Sequence, residues 1–95
     1  MSWRITQIDT ESAVLMLACP GLCWDNFPSL ANTLLQEWEL GVLEREWGAD
    51  RHSWLLTFEG SQLRLEFDHH GGCWLEALRP SDREVVLWLG RQHRA

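Results

Sequence analysis

From Val42 to Leu78 the chain alternates apolar and polar side chains with a period of two, broken by short turn signals. Side chains two apart share a face only in extended backbone, so this half must form strands, and the short turns between them demand antiparallel neighbours. Val42 to Trp47 and Ser53 to Glu59 read as strands across a Gly48–His52 loop, with Trp54, Leu56 and Phe58 on one face. Gly60-Ser61 is a tight turn. Leu63, Leu65 and Phe67 then alternate with Arg64, Glu66 and Asp68, the pattern of a strand with one face buried. His69-His70-Gly71-Gly72 reads as a hairpin loop, because paired glycines supply the positive φ of a tight reversal, and Cys73 to Leu78 as the returning strand.

Upstream, Trp3 to Ile8 has the β-branched and aromatic content of a strand, Asp9 to Ser12 is a polar turn, and Ala13 to Cys19 is the hairpin partner. The last run is apolar at almost every position, which places it in the sheet interior. Phe27, Leu30, Ala31, Leu34, Leu35 and Trp38 have the spacing of one helical face. Asp25 or Asn26 is expected to cap that helix, Pro28 is tolerated in its first turn, and Gly41 is expected to mark its end. Its other face, Ser29, Asn32, Thr33, Gln36 and Glu37, is polar and nearly uncharged. Ser81-Asp82-Arg83-Glu84 reads as a capping box for a second short helix through Val85, Trp88 and Leu89, with Gly90 as its stop.

The order is therefore β-β-α-β-β-β-β-α. It predicts an α+β fold, a two-layer sandwich with an antiparallel sheet of five to six strands and both helices on one face. Residues 1–95 form a single domain on this reading, with 91–95 a loose tail. Hydrophobic residues make up 45% and charged residues 23%, enough apolar content to fold around a core rather than stay disordered.

A formal net charge of −6 repels phosphate backbones and anionic membrane surfaces, so neither nucleic acid nor a membrane is an expected partner. No secretion signal or apolar span is evident, and three cysteines do not make a disulfide framework; the expected location is the cytoplasm. Cys19 and Cys23, with His69, His70 and Cys73, have the ligand chemistry for zinc if two loops converge, but their spacing repeats no regular pair. The plainer reading makes Cys19 and Cys73 small apolar strand residues. A metal- or thiol-dependent protein is the alternative function. No nucleophile, base and orienting group stand in a catalytic pattern, so no catalytic residue and no cofactor is assigned.

Binding is the stronger expectation, and the seven tryptophans carry it. Tryptophan and arginine anchor interfaces more than other side chains, and an open sheet offers edges for strand addition or self-association. Trp38 and Trp54 sit on apolar stripes and read as core. Trp24 and Trp47 stand at the margins of their elements and are the candidate contact residues for a protein partner.

Leu63-Arg64-Leu65-Glu66-Phe67 followed by Cys73-Trp74-Leu75-Glu76 resembles a family of short uncharacterised bacterial proteins of about this length. The resemblance implies a compact bacterial domain of unknown function and carries no site residue with it.

Overall fold

The computed structural model of the chain describes residues 3–94. The elements are β1 (Arg4–Asp9), β2 (Val14–Ala18), α1 (Phe27–Trp38), β3 (Gly41–Trp47), β4 (Arg51–Phe58), β5 (Ser61–Asp68), β6 (Gly72–Ala77) and α2 (Arg83–His93). The fold is α+β with the expected element order. One open, fully antiparallel sheet of six strands runs β1-β2-β6-β5-β4-β3. β2 lies one strand in from the edge, between β1 and β6.

Register puts Leu15, Leu17, Trp54, Leu56, Leu63, Leu65, Phe67, Cys73 and Leu75 on one face. They are buried with Phe27, Ala31, Leu34, Leu35 and Trp38 of α1 and Val86 and Leu89 of α2, so both helices cover that face and form the second layer. The opposite face carries a polar network across β4, β5 and β6. Arg64 donates to Ser53 Oγ at 2.7 Å, Ser53 donates to Glu66 at 2.7 Å, and the Trp74 indole donates to Glu76 at 3.2 Å. Part of the polar face of α1 is covered as well. The Trp3 indole donates to the Leu30 carbonyl at 2.8 Å and to Thr33 Oγ1 at 3.2 Å.

Several element ends differ from the sequence expectation, each for a local reason. α1 stops at Trp38 because Glu39 adopts the left-handed conformation, φ 58°, and Leu40 N–H bonds back to the Leu35 carbonyl; Gly41 already belongs to β3. Neither Asp25 nor Asn26 caps the first amides of α1 through its side chain. Asn26 instead accepts from Cys23 N–H at 2.7 Å and donates to the Gly21 carbonyl at 2.8 Å, which folds the preceding loop.

α2 runs through Gly90 to His93, where the sequence pattern suggests a stop and a loose tail. Gly90 is buried because the helix crosses the sheet closely there. A Cβ at this position would lie 2.7 Å from Leu15 Cδ2 and 3.2 Å from Ile8 Cδ1. The last turn is held by His93, whose ring stacks on Trp38 with centroids 4.4 Å apart. Of the expected tail, Ala95 lies outside the described residues, as do Met1 and Ser2.

The capping box at Ser81–Glu84 does not form; Pro80–Asp82 is a 3-10 turn leading into α2. The buried Asp82 carboxylate instead accepts from Arg79 Nε at 2.8 Å and from Gln62 N–H at 3.1 Å, joining this turn to β5. The Arg79 bond first, and then the Gln62 amide, hold the Asp82 carboxyl below the usual aspartate range. A group whose folded pKa is depressed contributes stability that is fully present above its unfolded pKa and is lost as pH falls through the folded value. The stability gap between the parent chain and Asp82→Asn should therefore be widest above about pH 4 and close below it. Denaturant melts at stepped pH check this; a gap that stays constant through the acid range would show that the carboxylate charge is not what holds the turn.

Candidate functional site

The candidate site lies where the start of α1 meets the β3–β4 hairpin. Phe27, fully buried, packs edge-on against Trp54 with centroids 5.2 Å apart. His52 lies between two rings, 4.7 Å from Phe27 and 4.9 Å from Trp24 by centroid, with interplanar angles of 17° and 29°. This stack anchors the loop before α1 to β4. The Trp24 indole N–H is shared between the Gly48 carbonyl at 2.9 Å and the Arg51 carbonyl at 3.2 Å, which ties the same loop to the turn between β3 and β4.

His52 Nε2 lies 3.0 Å from the Trp24 carbonyl. A carbonyl only accepts, so Nε2 carries the proton in that contact, and in the singly protonated ring Nδ1 is a bare acceptor. His52 is 3% exposed, and Nδ1 is a buried side-chain atom with no hydrogen-bond partner among the described residues.

Between these groups opens a pocket of about 320 Å³, at the lower end of volumes that hold a ligand. Trp54 and His52 contribute from β4, Trp24, Asp25 and Pro28 from the approach to α1 and its first turn, and Arg45 and Trp47 from β3. The Arg45 guanidinium carbon sits 4.7 Å above the Trp54 ring, a cation–π contact. Trp47 is 67% exposed, whereas Trp54 is 1% exposed. The pocket therefore runs from a solvated indole down to a core indole, with a carboxylate and a guanidinium beside it.

Trp24 and Trp47, the marginal rings of the sequence pattern, line this one pocket. Arg45, His52, Asp25 and Pro28 join them with no sequence expectation of a site role. The pattern of turn signals puts His52 in a loop, yet β4 begins at Arg51 and His52 is its first inward side chain. A signal for it exists, since His52, Trp54 and Leu56 continue one alternation. Trp38 and Trp54 are core, as expected; Trp88, on a stripe expected to be buried, is 43% exposed and rests against Phe58 with centroids 5.7 Å apart.

The cysteine and histidine candidates do not assemble. No group of three or more His, Cys, Asp or Glu side chains among the described residues is placed to hold one ion. Cys73 pairs with Leu17 in the sheet, and Cys19 follows two residues beyond Leu17, so both belong to the buried side. Burial, and then the neighbouring Cys19 and Glu66, push the Cys73 thiol up to about 12, and burial also raises Cys19. Both are kept as thiols, the form that neither attacks nor ligates well. Cys23 is exposed, and His69 and His70 sit in the exposed β5–β6 turn, where Asp68 accepts from the amides of His70 and Gly71. The metal alternative is not favoured.

No helix among the described residues is long and apolar enough to cross a membrane. No curated protein and no solved structure matches the chain. A family model described as "Protein of unknown function (DUF3630)" matches residues 3–94, nearly the full length, and the chain belongs to that family.

Proposed function

We propose that this chain is a small bacterial cytoplasmic domain that binds a protein partner at the tryptophan pocket beside β3 and catalyses no reaction. The convergence of Trp24 and the solvated Trp47 on an apolar pocket floored by Trp54 carries this reading. Indoles clustered around a depression that other side chains keep open are the usual anatomy of a binding hot spot. The cytoplasmic assignment rests on the three cysteines, all free thiols, the form that a reducing compartment maintains.

Trp47→Ala tests the reading directly. Trp47 contributes little to the core, so the unfolding free energy should stay within about 0.5 kcal/mol of the parent. Affinity for the partner captured from the source cytoplasm should fall about 30-fold, the equivalent of about 2 kcal/mol. Quantitative capture by the two proteins side by side decides it. Equal recovery of every captured protein would mean that the pocket is not the binding site.

A further inference from the structure

We propose that the occupant is an extended, basic segment of the partner, which adds to the open edge of β3 as a further strand and places one large apolar side chain in the tryptophan pocket. The inference rests on the pocket reading above and specifies the partner's chemistry.

β3 is an edge strand whose only neighbour in the sheet, among the described residues, is β4. It contains no proline, and its one irregularity falls between Val42 and Glu44, leaving Glu44 to Trp47 in regular register with β4. An edge of this kind presents unpaired amides and carbonyls to any extended chain. Side chains along it alternate. Arg45 and Trp47 pair with Trp54 and His52 and face the helix side, where the pocket opens. Glu44 and Glu46 pair with Leu55 and Ser53 and face the uncovered side. A strand laid about 4.8 Å beyond β3 sends alternate side chains to the same two sides. One set reaches the pocket; the other stands opposite two carboxylates.

The same charges disfavour the registers of a second copy that centre on residues 44 to 46. Two-fold antiparallel pairing centred on Glu44 or Glu46 sets that residue against itself, and pairing centred on Arg45 sets Glu44 against Glu46. Like charges directly opposite one another destabilise a strand pair. Lysine or arginine at every second position of the incoming strand removes the conflict and supplies the complement.

The test uses a short synthetic peptide in which lysines alternate with valines around a central tryptophan on the valine side. Its controls are a glutamate-for-lysine counterpart and two versions N-methylated at every second residue, one in each phase. Binding is followed by NMR titration of the ¹⁵N-labelled full chain. The lysine peptide should bind saturably, with amide shifts along β3, and the glutamate peptide should not. One methylated phase should abolish binding and the other retain it, because only alternate amides of an added strand face β3. The Glu44→Lys/Glu46→Lys variant should bind the lysine peptide about tenfold more weakly and accept the glutamate peptide.

Equal binding of both methylated phases, or no saturable shift up to millimolar lysine peptide, overturns strand addition. A captured partner that depends on Trp47 but binds the Glu44→Lys/Glu46→Lys variant unchanged also removes this inference while leaving the pocket reading in place. Capture indifferent to Trp47→Ala removes the pocket reading itself. A concentration-dependent dimer of the parent chain that the double variant disrupts would assign the edge to self-pairing and overturn the proposal.

Discussion

Phe27→Ala should lower the stability of the domain by about 3–5 kcal/mol, the range for emptying a buried aromatic site. A chain of this size has a total stability of about 5–15 kcal/mol, so the loss takes a large share of it. At about 4–8 °C per kcal/mol the thermal midpoint falls by roughly 12 °C or more. The effect is large because Phe27 is the first residue of α1, is fully buried, and touches three other rings, His52, Trp54 and Phe67. Little can collapse into the space. Phe27→Leu should recover most of the volume and cost less than about 2 kcal/mol, while removing the flat surface against which His52 stacks. Denaturant unfolding measures both variants, and near-ultraviolet circular dichroism reports the indoles around the stack. A loss under about 1 kcal/mol for Phe27→Ala would show that α1 is not fastened to β4 through this ring.

Gly90→Val is the second large effect, expected at about 2–3 kcal/mol of destabilisation. Two contributions oppose one another. Glycine in a helix interior is less favourable than alanine by about 1 kcal/mol, so a side chain here should help the isolated helix. Against this, even one added carbon meets Leu15 Cδ2 at 2.7 Å, so the fully buried Leu15 side chain must shift to admit it. Packing wins for valine, whose branches add contacts toward Ile8 as well. For Gly90→Ala the two contributions nearly cancel, and a small change of either sign is expected. Equilibrium unfolding of the two variants makes the comparison; a valine variant as stable as the parent would mean that α2 lifts away from β1 and β2 at little cost.

Gly90 also marks where local pattern reaches its limit. A glycine near the end of an amphipathic run serves equally as a stop or as a close-approach point, and only the distance between α2 and β2 separates the two. The alternation of Leu63 to Asp68 behaves differently. Period two is a local property, so the strands, their inward faces and the order of elements are legible in the amino-acid sequence alone. Strand order is not, because the β2–β6 pairing joins residues about sixty apart in sequence. The site divides the same way. Trp24 and Trp47 stand out as marginal rings, but their meeting depends on the Trp24 indole reaching the carbonyls of Gly48 and Arg51, a contact that no local pattern encodes. Asn26 and Asp82 have the right chemistry for helix caps and are drawn to other partners instead, since a carboxylate or amide takes whichever donors the tertiary fold brings closest.

The unequal state of the three thiols makes the unmodified chain its own reporter. Cys19 and Cys73 are buried with raised pKa values, whereas Cys23 is exposed and stands directly before Trp24 in the chain. A maleimide or a spin label applied to the folded protein near neutral pH should therefore attach at one position, next to the pocket wall. Mass spectrometry of the labelled chain would show single occupancy. The attached probe would then sense the arrival of a ligand without any substitution in the protein.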